Sequence, residues 1–140
     1  MNPLAFIKEN GLRTGDRLIV EKGRLVHHHA IVIRRAGLIP MVAENQPGLG
    51  VQYITLEQFL ARSGTAKIWM QKFMGTEADR KNVIPRIDAL VGRSYNLVNF
   101  NCEHFANLIQ IGVPVSRQVG AAAFVALLGI GLLAIGGSRR

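Results

Sequence analysis

The sequence holds one residue that could act as a nucleophile and a short histidine run that could activate it. Cys102 is the only cysteine among 140 residues, and it lies within the pentapeptide Asn101–Phe105. A lone cysteine cannot form an internal disulfide, so its reactivity is the property to examine. Three of the four histidines are consecutive at positions 27–29. A thiolate activated by an imidazole would support acyl transfer through a covalent intermediate. An inert, buried cysteine is the alternative.

The predicted position of Cys102 at the start of a helix favours its thiolate form. Apolar residues recur at helical spacing from Cys102 to Gln110. The unpaired N–H groups and the positive dipole end of such a helix would stabilise a negative sulfur. The same N–H groups would stabilise an oxyanion on a substrate carbonyl. His104 lies two residues further on, where a helical side chain does not face Cys102, so we expect a structural role for it.

The histidine run lies in a predicted strand, Leu25–Arg34. Alternate residues of a strand share a face, so His28 is grouped with Ala30 and Val32 and separated from the two flanking histidines. The small Ala30 leaves space beside His28. Three consecutive histidines also resemble a metal tract or an affinity tag. Consecutive strand positions cannot all face one ion, and an internal position argues against a tag, so we expect no metal and no cofactor.

Glu44 is the candidate partner for His28. It follows Ile39–Ala43, the predicted return strand of a hairpin, and precedes the loop Asn45–Gly48. A carboxylate at this position could accept the ring N–H of His28, fix its tautomer and stabilise the imidazolium. The alternative is an ordinary solvated glutamate at a strand end.

The remaining pattern predicts a compact α+β domain over the first 115 residues. Arg17–Val20 and Lys67–Phe73 are predicted strands, and Thr55 is a predicted helix N-cap. Glu77–Val91 is a predicted helix in which Pro85 is an unfavourable residue. These elements would surround the strand of His28 and the helix of Cys102.

The composition narrows the class of partner. Seventeen Lys and Arg residues against nine Asp and Glu give a formal net charge of +8. This excess favours nucleic acid or an anionic membrane surface as a partner. The basic residues are scattered, and no zinc-finger, helix-turn-helix or aromatic RNA-binding pattern is present, so we expect no nucleic-acid partner. A single cysteine argues against a disulfide-stabilised scaffold, and we expect no signal peptide.

A long apolar segment, Val119–Gly137, differs sharply from the rest of the chain because it holds no charged residue. A helix of this length, at about 1.5 Å per residue, would span roughly the hydrocarbon core of a bilayer. We therefore expect a catalytic domain at residues 1–117 on the cytoplasmic side and a membrane anchor at residues 118–140. The Gly and Ala content would let two such helices associate, so the tail also offers a route to self-association. A buried core helix and a helix that enters one leaflet are the alternatives.

The pentapeptide Asn101-Cys102-Glu103-His104-Phe105 resembles the NCEHF signature of the lecithin:retinol acyltransferase (LRAT) family, whose members are papain-like thiol enzymes of the NlpC-type group. Other segments resemble that family too, as does an apolar C-terminal anchor. These segments are Gly15–Asp16, His28–Ile31, Asn45–Gly48, Tyr95–Leu97 and Ser116–Val119.

The resemblance implies an antiparallel sheet packed against the helix that bears the nucleophile, with Cys102 as nucleophile and His28 as base. The third position is commonly a second histidine in animal members. This chain has no histidine between His29 and His104, so Glu44 is placed there. The resemblance also implies an acyltransferase or phospholipase-type hydrolase that forms an acyl-thioester on Cys102, with an acyl lipid and the bilayer as partners. A cysteine peptidase or amidase of the NlpC-type group and a non-catalytic membrane-anchored binding module are the alternatives.

Overall fold

The computed structural model describes residues 1–112, and the predicted anchor Val119–Gly137 lies outside them. Within the described residues no helix is long and apolar enough to cross a membrane. The elements in chain order are α1 (Pro3–Glu9), β1 (Arg17–Glu21), β2 (His27–Ile33), β3 (Met41–Gln46), β4 (Gly50–Thr55), α2 (Leu56–Ser63), β5 (Ile68–Gln71), α3 (Glu77–Lys81), α4 (Val83–Asp88) and α5 (Cys102–Ile111).

The strands form one antiparallel sheet in the order β4-β3-β2-β1-β5. The last residue of β1, Glu21, pairs with the first residue of β2, His27. Gln46 at the end of β3 likewise pairs with Gly50 at the start of β4. The β1–β2 and β3–β4 loops therefore lie at the same end of the sheet, which we call the histidine end. The β2–β3 connection, residues 34–40, lies at the opposite end.

Each face of the sheet supports a separate apolar core. The first core contains α1 and α2, and the second contains α4 and α5. Strand β2 contributes to both, since Ala30 and Val32 lie in the first core whereas Ile31 and Ile33 lie in the second. This alternation is the period of two that a strand buried on both faces requires. Full burial of each of these valine and isoleucine side chains stabilises the fold by roughly 1.5–3 kcal/mol.

The predicted α+β class and the antiparallel sheet are confirmed, and α5 packs against β2 and β3. The loop predicted after Glu44 is shorter than expected, because Asn45 and Gln46 belong to β3. Strand β4 was not predicted at all. The helix predicted at Glu77–Val91 is two short helices that meet at Asn82.

A glycine brings the connection between α4 and α5 onto the histidine end. Gly50 has a φ of +74°, and a Cβ built on it would lie 2.3 Å from the carbonyl oxygen of Arg93. The neighbouring Val51 N–H donates to that same oxygen at 3.0 Å. Only glycine combines a positive φ with so close an approach. Gly50 therefore fixes where residues 89–101 pass the start of β4.

Candidate active site

A buried carboxylate lies at the centre of the candidate site. Glu44 is fully buried. Its Oε2 accepts hydrogen bonds from His28 Nε2 at 2.6 Å and from Arg62 Nη2 at 2.5 Å. Its Oε1 accepts from Gln52 Nε2 at 3.0 Å. The donors come from β2, α2 and β4, so three separate elements compensate the charge that folding removes from water.

These contacts decide the ionisation of Glu44 and the tautomer of His28. Burial alone would raise the pKa of Glu44, but the hydrogen bonds from His28, Arg62 and Gln52 outweigh it and lower this pKa to about 2. Glu44 is therefore ionised at neutral pH, and an ionised carboxylate only accepts hydrogen bonds. His28 must then carry its hydrogen on Nε2, which leaves the lone pair on Nδ1 to take up a proton.

Cys102 is the first residue of α5, and its thiol lies beside the start of β2. The side chain is buried, with Sγ 3.6 Å from the carbonyl oxygen of His27. Burial would lower the pKa of His28, but hydrogen bonds and charge interactions with Cys102 and Glu44 raise this pKa above its usual value. The structure thus brings together Cys102, His28 and Glu44, the three site residues predicted from the sequence.

The first turn of α5 is closed by a reciprocal cap. Asn101 Oδ1 accepts hydrogen bonds from the backbone N–H groups of Glu103 and His104 at 2.9 and 3.0 Å. The backbone N–H of Asn101 in turn donates to His104 Nδ1 at 3.1 Å. The predicted structural role of His104 is confirmed. Because the cap occupies the Glu103 and His104 amides, the Cys102 N–H is the first-turn amide left to stabilise an oxyanion.

The other two histidines of the run differ from His28 in environment. His29 lies on the α5 face, where burial and then the charge of Arg17 lower its pKa to about 4. It is therefore neutral at neutral pH. His27 is half-buried at the strand start. The predicted alternation holds, whereas the full burial of His29 was not predicted. Within residues 1–112 no group of three or more His, Cys, Asp or Glu side chains could hold a metal ion.

Three residues near the site had no predicted role. Arg62 and Gln52 hold the carboxylate of Glu44 from α2 and β4. Burial and then the charge of Cys102 raise the pKa of Tyr95 above its usual value, so this phenol lies within electrostatic range of the thiol. Predicting β4 would have placed Gln52 opposite Glu44. No local signal marks Arg62, since it resembles any basic residue in the last turn of a helix.

An α+β domain with a cysteine at a helix start, next to a histidine–carboxylate pair, has the groups that a thiol enzyme needs. Sequence comparison then gives the family. The pattern of the family described as lecithin retinol acyltransferase matches residues 10–115, so the chain belongs to the LRAT family. The mouse (Mus musculus) protein named "Phospholipase A and acyltransferase 3" is 46% identical over 57 residues, which cover 39% of this chain and 35% of the relative. The matched segment thus spans about a third of that relative's length.

The role of His28 can be tested by the reactivity of Cys102. We expect His28→Ala to slow alkylation by iodoacetamide at pH 6.5 by about tenfold, because an unassisted thiol is only about 1% ionised there. His27→Ala and His29→Ala are matched controls on the same strand and should change the rate by about twofold at most. Mass spectrometry gives the rate, and circular dichroism checks the fold. A larger effect of His29→Ala would contradict the assignment.

The contact between Arg62 and Glu44 predicts a shift in pH dependence. Arg62 lowers the pKa of Glu44, so Arg62→Gln should raise it. As pH falls, the carboxylate would then lose its charge earlier, and the acid limb of the alkylation profile should move to higher pH. Arg62→Lys keeps the charge and should shift the limb less. Arg13→Gln removes an exposed arginine paired with Glu77 and serves as the control. An unchanged acid limb in Arg62→Gln would show that Arg62 does not act on Glu44.

Proposed function

We propose that this protein is a thiol-dependent acyltransferase or phospholipase-type hydrolase. It acts on acyl lipids at a membrane through an acyl-thioester on Cys102. The observation that carries the proposal is the chain of contacts from the Cys102 thiol to the His28 ring and on to the Glu44 carboxylate. Membership of the LRAT family and the name of the mouse relative support acyl chemistry.

In the first half of the reaction, His28 Nδ1 accepts the proton of Cys102 Sγ as the sulfur attacks the carbonyl carbon of an acyl ester. The carbonyl oxygen becomes an oxyanion, which the Cys102 N–H stabilises. The His28 imidazolium then donates its proton to the leaving alcohol oxygen. The C–O bond breaks, a lysolipid leaves, and the acyl group remains as a thioester on Cys102.

In the second half, water, an amine or an alcohol attacks the thioester carbonyl while His28 removes its proton. The C–S bond breaks, and the thiol of Cys102 regains a proton from His28. Water gives hydrolysis, and the other two acceptors give transfer. Glu44 holds the ring and stabilises the imidazolium, but its pKa of about 2 keeps it from taking the proton itself.

The decisive experiment looks for the covalent intermediate. After incubation of the full chain with mixed phospholipids, we expect an added acyl mass on the peptide that contains Cys102. Cys102→Ser should abolish both this mass and lipid turnover, because a hydroxyl supplies almost no anion at neutral pH. Undiminished turnover in the variant would remove the proposal.

The same experiment separates the two alternatives. A cysteine peptidase or amidase would turn over peptides and leave phospholipids intact. A non-catalytic module would leave Cys102 unlabelled even by a thiol-reactive acyl probe.

Glu44→Gln should lose less turnover than His28→Ala, since an amide can replace part of the orienting role of the carboxylate.

We further propose that residues 118–140 anchor the catalytic domain, residues 1–117, to the cytoplasmic side of a membrane. The uncharged composition of Val119–Gly137 supports this proposal. Full-length protein should stay with membranes in high salt and in alkaline carbonate, whereas a chain that ends at Gln118 should be released. Release of the full-length protein by salt alone would show that charge, and not an inserted helix, holds it.

A further inference from the structure

Three loops at the histidine end of the sheet expose large apolar side chains. Leu25 and Val26 in the β1–β2 loop are 84% and 57% exposed, and Leu49 in the β3–β4 loop is 65% exposed. Leu97 and Val98 in the connection between α4 and α5 are 69% and 60% exposed. We call these five side chains the apolar rim. Clustered exposure of this kind is typical of a surface that meets a protein or a membrane.

Two of the three rim loops adjoin the candidate active site. Val26 directly precedes His27, whose carbonyl oxygen lies 3.6 Å from Cys102 Sγ. The carbonyl of Leu97 accepts a hydrogen bond at 3.1 Å from the side chain of Asn101, the residue before Cys102. A molecule that covers these two loops would therefore lie close to the thiol.

Positive charge accompanies the rim. Lys22 and Arg24 are exposed in the β1–β2 loop, and neither forms a salt bridge within residues 1–112. Exposed Lys67 also lies at this end, since its carbonyl accepts from the Glu21 amide at 3.1 Å. Arg93, whose backbone pairs with β4, is exposed as well. Glu21, the last residue of β1, is an exposed carboxylate at the same end.

We propose that the apolar rim and its four cations are a docking surface for an anionic phospholipid bilayer. Leucine and valine side chains would enter the boundary between headgroups and acyl chains, while lysine and arginine bind lipid phosphates. This proposal extends the proposed function, because it names the surface through which a lipid would reach Cys102.

The opposite end of the sheet is the competing surface. It holds an apolar groove of about 440 Å³ lined by Ile33, Leu38, Ile39 and Tyr53, among others. Leu38 is 58% exposed, and Arg34 and Arg35 lie nearby in the chain. A bilayer docked there would lie at the other end of the sheet from the thiol. Leu38 is therefore the matched control for Leu97.

A tryptophan placed at either end reports which end meets the bilayer. The full chain carrying Trp69→Phe, which removes its single tryptophan, receives either Leu97→Trp or Leu38→Trp. Each protein is mixed with vesicles of phosphatidylcholine, with and without about 30% phosphatidylserine. Fluorescence emission and quenching by lipids with brominated acyl chains measure insertion. Both proteins retain the same tail, so any anchoring by residues 118–140 is common to both.

We expect Leu97→Trp to shift to shorter wavelength and to be quenched, and Leu38→Trp to remain unchanged. The same result in a Cys102→Ser background would show that docking does not need turnover, so the docking proposal and the proposed function can fail separately. Quenching of Leu38→Trp in place of Leu97→Trp would overturn the docking proposal. Burial of Leu97→Trp in the absence of vesicles would also overturn it, because another copy of the chain would then cover the rim.

The charge component has its own test. The double variant Lys22→Gln with Arg24→Gln should reduce the preference for anionic over neutral vesicles by about fivefold for each cation removed. Arg34→Gln with Arg35→Gln is the matched pair at the opposite end and should leave that preference unchanged. Equal losses in the two pairs would show that overall charge, and not the rim, selects the membrane.

Discussion

The shared contact of His28, Arg62 and Gln52 with the buried carboxylate of Glu44 is the interaction on which the site depends. An ionised group removed from water costs several kcal/mol unless its partners restore what hydration supplied. Here the partners come from β2, α2 and β4, so the folded sheet and its helix must form before the charge is tolerated. The imidazole is oriented by the same contacts. Stability of the fold and orientation of the candidate base therefore have one physical cause.

The sheet also decides where the site can form. Strand β2 sends His28 toward α2 and His29 toward α5, so the base and the helix that carries the nucleophile belong to different faces. They can meet only at the first residues of the strand, where the sheet ends. The close approach of Arg93 to Gly50 holds the chain leading to Cys102 over that end. A nucleophile further along α5 would have the sheet between itself and His28.

The elements that were predicted correctly are those whose sequence pattern lies within a short window of residues. The cap at Thr55, the start of α5 at Cys102 and the two-residue period of β2 are visible in short windows of sequence, and all three are present. Strand β4 was not predicted because only three residues separate it from β3, in a turn that contains Pro and Gly. Most of its residues are half-buried, so it lacks a clear alternation of apolar and polar residues. Pro85 was unfavourable for the single long helix predicted at Glu77–Val91. In the structure it lies in the first turn of α4, where the backbone N–H that proline lacks would have no helical partner. The role of Arg62 could not be predicted from local sequence because its partner, Glu44, is 18 residues away in the chain.

The pairing of Glu44 with Arg62 couples the effects of substitutions at these two positions. A histidine at position 44 would present an imidazole, in place of an anion, to the guanidinium that now lies 2.5 Å from the carboxylate. Loss of Arg62 alone would leave the buried carboxylate short of a donor. Loss of the carboxylate, by contrast, leaves an arginine side chain that is 37% exposed and can be hydrated. Residues in such contact have non-additive effects on stability. An exchange of this acid for an imidazole and a change of Arg62 on α2 would therefore have coupled effects on stability.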